Sequence, residues 1–328
     1  MTDPTSTVPS VSPVFVGIDV AKDKLDLARS DTGELLRFVN DASGIDRIVE
    51  LLVARQPKRI VIESTGGLER PLLAALLDAG LPVALVNPSR VRHFAIGIGI
   101  LAKTDPLDAT VLMRFAERAD VRLTQKRSAN QAELDALITC RRQLCAARTA
   151  QSNARLTTDS KAARLSIDAV LKTLDKQIAL LDQQIRKRID ADDDFRHLDR
   201  QIRSVPGAGP ILSATFIAEL GELGTVDRQQ ISALVGVAPF NHDSGKFKGK
   251  RAVRGGRSQV RNVLYMATLA AMRYNPLIRR FADRLRKTGK AAKVVIVACM
   301  RKLLTLINAM IRDNLTWHEL HVVKVLAK

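Results

Sequence analysis

The chain has 328 residues, with 52 Lys plus Arg against 34 Asp plus Glu, giving a net charge of +18 at pH 7. This length accommodates two domains with cores of their own, and 46% hydrophobic with only 4% aromatic content excludes a disordered chain and fits a helix-rich protein. Such an excess of positive charge calls for a polyanionic partner, nucleic acid first and an acidic membrane surface second. A membrane span needs about 20 apolar residues. The longest unbroken apolar run, Val294 to Met300, is closed by Arg301, so no membrane partner is expected. Residues 1–13 are rich in Ser, Thr and Pro, with no basic segment followed by an apolar one, so they read as a disordered leader and the expected location is the cytoplasm. Cys140, Cys145 and Cys299 are too few and too unevenly spaced for a zinc site or a disulfide framework, and are expected as buried or partly buried thiols.

Three β-like runs come first, Val14–Val20, Lys24–Arg29 and Leu35–Asn40, joined by polar connections such as Asp31-Thr32-Gly33. A helix over Ser43–Arg55, a strand Arg59–Glu63, a helix Leu68–Ala79 closed by Gly80, a strand Val83–Asn87 and further helix to Ala119 follow. The order β-β-β-α-β-α-β-α predicts an α/β RNase H-like (RuvC-like) domain over 14–125.

Residues 129–188 contain no Gly or Pro and are dense in Leu, Ala, Gln, Arg and Lys, which predicts long helix. Leu171, Leu174, Ile178, Leu181 and Ile185 recur at alternating three- and four-residue steps, a heptad seam. The preceding half is weaker, with Arg141 and Arg148 in register with Leu134, Leu137 and Leu144, and polar Gln151–Ser160 as a break point. Residues 126–195 therefore read as a coiled-coil linker, either an antiparallel helical hairpin, a dimerising coiled coil, or a seam packed on its own domain. Residues 196–328 form a third, mainly α-helical region. Between Asn241 and Lys290 stand 14 Lys or Arg against Asp243 and Asp283, an excess of +12. This stretch also holds Gly245, Gly249, Gly255 and Gly256, and a flexible basic loop suits phosphate tracking better than solubility. Lys246, Lys248, Lys250, Arg251, Arg254, Arg257 and Arg261 are the expected phosphate contacts.

Four acids fall where such a fold gathers them. Asp19 lies near the end of the first strand and Glu63 closes the strand expected beside it, while Lys103-Thr104-Asp105-Pro106-Leu107-Asp108 begins a helix. Taken singly, Asp105 reads as a helix cap and Asp108 as a surface residue favoured by the helix dipole. Taken together, Asp19, Glu63, Asp105 and Asp108 suit hard divalent cations, Mg²⁺ and two ions, in phosphodiester chemistry. Gly17-Ile18-Asp19 also opens sugar-kinase and actin-like ATPases, and Glu63-Ser64-Thr65-Gly66-Gly67 passes for a phosphate loop, so a phosphotransferase is a competing reading. That class needs further Gly-rich nucleotide segments, where this sequence has the basic loop instead.

Gly17-Ile18-Asp19-Val20-Ala21-Lys22, Glu63-Ser64-Thr65-Gly66 and Lys103-Thr104-Asp105-Pro106-Leu107-Asp108-Ala109 together resemble the DEDD transposases of the insertion-sequence one-ten family. The resemblance extends through Val205-Pro206-Gly207-Ala208-Gly209-Pro210, Leu234-Val235-Gly236-Val237-Ala238-Pro239, His242-Asp243-Ser244-Gly245, Tyr265 and Tyr274-Asn275-Pro276. It implies a RuvC-like domain with the four acids, a coiled-coil linker, and a C-terminal transposase domain with a helix-hairpin-helix-like turn. It also implies Ser244 as nucleophile, a structured (bridge) guide RNA as partner, double-stranded DNA as substrate and a homo-oligomer. The sequence departs from the family at Asp243, which puts a carboxylate beside Ser244. In the turn, Gly207 and Gly209 are expected to expose backbone N–H groups to phosphate. Three functions compete: an RNA-guided recombinase-transposase, a metal-dependent Holliday-junction-type nuclease without a covalent intermediate, and a nucleic-acid scaffold that has lost catalysis.

Overall fold

A computed structural model describes residues 13–100, 105–126, 128–240, 243–244, 247–248 and 252–319, with backbone alone at 105–107, 243–244 and 247–248. The chain divides into two units, one up to residue 127 and one from Ser128 onward. The expected leader lies outside the described residues, apart from Pro13.

In the first unit, β1 (Phe15–Val20), β2 (Lys24–Arg29), β3 (Leu35–Val39), β4 (Arg59–Glu63) and β5 (Val83–Val86) form one sheet in the order β3-β2-β1-β4-β5. β1 runs antiparallel to β2 and β2 to β3, whereas β4 runs parallel to both β1 and β5. Alternation along the strands divides the apolar residues between two cores. Val16, Ile18, Leu25, Leu27, Ile60 and Ile62 meet α1 (Ala42–Arg55) and α2 (Arg70–Asp78) on one face. Phe15, Val61, Ala84 and Val86 meet α3 (Pro88–Gly97) and α4 (Asp105–Arg118) on the other. This mixed five-stranded sheet with helices is consistent with an RNase H-like α/β domain. The expected bounds of β2 and β4 are met, and the final helical stretch is two helices instead of one. α1 starts slightly early because Asp41 caps it, accepting from Gly44 N at 2.7 Å. α2 starts late because Glu69 turns back onto the preceding loop.

Among its described residues, the second unit is helical apart from one two-residue strand pair and an isolated β-bridge. It comprises α5 (Ala129–Thr157), α6 (Lys161–Asp190), α7 (Asp193–Ser204), α8 (Pro210–Glu219), α9 (Arg228–Val235), α10 (Ser258–Tyr274), α11 (Pro276–Lys287) and α12 (Ala292–Arg312). α5 and α6 pack against each other in antiparallel fashion, and the apolar seam of α6 turns half-buried toward α5. Opposite it, α5 presents arginines at heptad spacing: Arg141, Arg148 and Arg155 pair with Asp182, Asp175 and Asp168 in strict reverse order. The root of this pair, Leu134, Ile138, Ile185 and Ile189, joins the core of α8 to α12. α12 is long and apolar enough to cross a membrane, contrary to the expectation from its unbroken apolar run, because Arg301 and Lys302 do not outweigh the residues around them. Its Val295, Cys299, Leu303, Leu304 and Ile307 line this unit's core. The cysteine expectation is corrected at Cys140, which is exposed; Cys145 is half-buried and Cys299 buried, and all three are free.

Candidate active site and nucleic-acid interface

Asp19 and Glu63 lie on neighbouring parallel strands, one residue beyond the registered pair Ile18 and Ile62. They share the parity of Gly17 and Val61, so both are on the α4 face of the sheet, and both are half-buried. Gly17 explains how α4 reaches them. A Cβ at Gly17 would lie within overlap distance of the α4 backbone at Ala109, Leu112 and Met113, so only glycine lets the helix rest on β1. Ala109 against Gly17 puts its neighbour Asp108, also half-buried, on the turn of α4 beside the acid-bearing end of β1. Asp105 is the first residue of α4; its side chain is outside the described residues.

The oxygen-only chemistry of these side chains fits a hard divalent cation. Asp19 and Glu63 on paired strands, with Asp108 on the overlying helix, are the acids that would hold it, although the structure does not close these three into a cluster. Among the described residues, which do not include the Asp105 side chain, no group of three His, Cys, Asp or Glu is close enough to form a metal cluster.

The loop leaving Glu63 is fixed by a residue that sequence reading missed. Buried Glu69 accepts at one oxygen from Thr65 N (3.1 Å), the Thr65 hydroxyl (2.9 Å) and Gly67 N (2.8 Å). Burial on its own would raise its pKa, but these bonds and its own backbone N–H outweigh burial and hold the carboxyl below the ordinary carboxylate value. Donors that a nucleotide phosphate would need are thus already engaged by a carboxylate, which counts against the phosphate-loop reading of Ser64–Gly67.

Asp26 was missed as well. It is the registered cross-strand partner of Asp19, is only 1% exposed, and is bonded by the Arg37 guanidinium through Nε (2.7 Å) and Nη2 (3.3 Å). The signal was present in Lys24-Leu25-Asp26-Leu27: a charged residue at an alternating strand position whose neighbours are both core.

In the second unit the segment expected as a flexible loop contains β pairing. Phe240 and Ala252 form an antiparallel bridge, and β6 (Asp243–Ser244) pairs with β7 (Phe247–Lys248), with Ser244 opposite Phe247. Ser244 is thus the last paired residue of β6 before the chain passes to β7, in the arm between Phe240 and Ala252. His242, Lys246, Lys250 and Arg251 are outside the described residues, and Lys248 is described by its backbone in β7. At the root of the arm two backbone segments touch. Gly236 and Gly256 leave no room for a Cβ on either side, and Arg257 N donates to Leu234 O at 2.8 Å. Two of the expected phosphate contacts serve this root. Arg257 donates to both carboxylate oxygens of Glu222 (2.6 and 2.7 Å) and to Glu219 O (2.8 Å), and Arg261 donates to Gly255 O and Val235 O. Arg254 is exposed beside them.

The Val205–Gly209 turn connects α7 to α8. Gly207, at φ +98°, lies against the α10 backbone at Ala271, where a Cβ would overlap; Gly209 faces open space. Buried Asn275 secures the turn from the other side. Its Nδ2 donates to Pro206 O (3.4 Å), while its Oδ1 accepts from Leu277 N and Ile278 N (3.0 and 3.2 Å) at the start of α11.

A mixed five-stranded sheet with Asp19 and Glu63 at the adjoining ends of two inner strands is consistent with the RNase H-like α/β class. Residues 16–158 match the family of DEDD transposases of IS110, and residues 199–283 match the IS116/IS110/IS902 transposase family. The chain is 28% identical over 318 residues to the pilin gene-inverting protein of Moraxella bovis, covering 93% of this chain and 97% of that protein. It is 25% identical over 297 residues to the transposase for insertion sequence element IS1111A of Coxiella burnetii, covering 79% of this chain and 78% of that one. A 34% identity to an uncharacterized 42 kDa protein of insertion element IS900 from Mycobacterium paratuberculosis covers 44% of this chain and 36% of that protein. The chain belongs to the IS110 family of transposases, and it is a DNA transposase. Membership of the DEDD group implies catalysis dependent on a divalent metal.

Proposed function

We propose that this transposase cuts and rejoins DNA strands through a centre formed by Asp19, Glu63, Asp105 and Asp108, with two Mg²⁺ ions as the metal, and with Ser244 as the nucleophile. The observation that carries the reading is the pairing of β1 with β4 beneath α4, which brings the strand ends bearing Asp19 and Glu63 to the helix that begins with Asp105. When bound, divalent ions supply Lewis acidity to the phosphodiester and offset its charge. Asp19, Glu63, Asp105 and Asp108 would hold those ions, and only through them would they orient the phosphodiester.

Ser244 gives up its hydroxyl proton as its Oγ bonds to phosphorus, and the bond from phosphorus to one deoxyribose oxygen breaks to leave a free hydroxyl. Attack by the hydroxyl of the strand to be joined then restores a phosphodiester and releases Ser244. The serine–phosphate bond conserves the energy of the broken linkage, so rejoining needs no ATP. The pairing of Ser244 with Phe247 supports this role only in placing the serine on a short β-hairpin beside the basic residues of the same segment.

The same reading includes a structured guide RNA, supported by the charge of +18 and the basic arm. It also includes a homo-oligomer, because joining two DNA partners needs more than one active site. We retain the division into a nuclease domain at 14–125, a linker at 126–195 and a C-terminal domain at 196–328. Gly207 and Gly209 are retained as a phosphate-binding turn, and Lys246, Lys248, Lys250, Arg251 and Arg254 as the main phosphate contacts, with Arg257 and Arg261 holding the arm's root. A cytoplasmic location accords with α12 lining a core. The test is DNA cleavage in Mg²⁺ by Asp19→Asn. Loss of cleavage in a folded protein is expected, and wild-type cleavage would overturn the acidic centre.

A further inference from the structure

Arg37 on β3, Asp26 on β2 and Asp19 on β1 are successive cross-strand partners, a row of three residues on the α4 face of the sheet. Glu63 stands on the next strand, one residue past the registered pair Ile18 and Ile62, so a cation ends a row of carboxylates. Asp26 is 1% exposed and interacts with both Arg37 and, at 3.4 Å, Lys24. A carboxylate this buried is costly to keep ionised without a partner. The guanidinium is therefore anchored from below. Its own side chain is nevertheless 56% exposed.

Asp26 takes the Nε and Nη2 of the guanidinium, and more than half of the Arg37 side chain still remains exposed. A guanidinium held by a buried acid through its Nε and Nη2 has already lost its rotamer freedom, and the outer, Nη1 side of the same planar group is suited to phosphate oxygens. A DNA strand approaching three or four carboxylates is repelled by them, and a fixed cation at the end of the row offsets that repulsion where the strand enters.

We propose that Arg37 binds a backbone phosphate of the DNA strand entering the acidic centre, and that Asp26 is the positioning residue that holds the guanidinium there. This rests on the reading of Asp19 and Glu63 as part of that centre, and it adds a binding residue that the four-acid motif does not contain.

The test is binding of a fluorescent generic duplex to the full chain in Ca²⁺, titrated against salt, with thermal unfolding as the check on folding. Arg37→Ala is expected to weaken binding by about tenfold and to lower the slope of log affinity against log salt by roughly one. Arg37→Lys should keep the slope and recover part of the affinity, since it preserves the charge but not the fork. Asp26→Asn should raise KM for DNA more than it lowers kcat. A folded Arg37→Ala, or Arg37→Gln if alanine does not fold, with unchanged affinity and slope overturns the proposal. That result in a protein whose Asp19→Asn variant has lost cleavage rejects only Arg37, whereas retained cleavage in Asp19→Asn rejects the acidic centre on which it stands.

Discussion

Glu69 ties local chemistry to stability at the level of a single residue. Its carboxylate satisfies three donors in the loop that follows Glu63, and those bonds keep its pKa below the ordinary value of 4.5. A depressed folded-state pKa contributes stability that is fully present above the unfolded value and is lost as pH falls through the folded value. Glu69→Gln is therefore expected to be less stable than wild type at pH 7 by about 1.5–3 kcal/mol, the usual range for hydrogen bonds to a charged group. The difference should shrink as pH drops below 4.5. Denaturant melts of both proteins across that range check it, and a gap that does not vary with pH contradicts it. Neither Glu69 nor Asp26 was legible as a structural anchor. Their partners are set by a loop turning back and by strand register, which a pattern of residue types does not encode. Asp19 and Glu63 were legible because each follows an apolar strand half, where a carboxylate has no place in the core.

At the scale of elements, periodicity located β2 and β4 to the residue and separated helix from strand throughout the first unit. It erred where one side chain moves a boundary, as at the Asp41 cap, and where pairing is short, as at β6 and β7. The seam of α6 was visible, but its partner was not. α5 meets it with Arg141, Arg148 and Arg155 at heptad positions where apolar residues are usual, and the matching Asp182, Asp175 and Asp168 are recognised only once the two helices are set antiparallel. Ion pairs so exposed add little stability, so their main effect is to fix register. Leu165, Val170 and Leu180 are exposed on α6, which is where the proposed homo-oligomer would bury apolar surface. Replacing the exposed Leu165, Val170 and Leu180 with Asn is expected to shift the protein from oligomer to monomer in solution-mass measurements, whereas the seam residues Leu174, Ile178 and Leu181 face α5 of the same chain. A wild-type protein that is monomeric with and without nucleic acid contradicts this.

For the whole molecule, the charge of +18 is the property most directly tied to function. Reversing Lys246, Lys248, Lys250, Arg251 and Arg254 together should flatten the dependence of nucleic-acid affinity on salt by roughly 0.7–0.9 for each phosphate that is no longer neutralised. An unchanged slope moves the binding face elsewhere. Arg257 and Arg261 are left out of this set because their guanidinium groups bond to Glu222 and to backbone carbonyls at the arm's root, and replacing them would test folding instead of binding.

The serine chemistry is tested most directly by incubating the protein with guide RNA, end-labelled DNA and Mg²⁺, denaturing, and following the label. Wild type is expected to carry label covalently on the polypeptide, and Ser244→Ala to lose that adduct while still binding DNA. An adduct that persists in Ser244→Ala, or a wild type that nicks efficiently and never forms one, contradicts the serine mechanism and leaves a metal-dependent nuclease in its place.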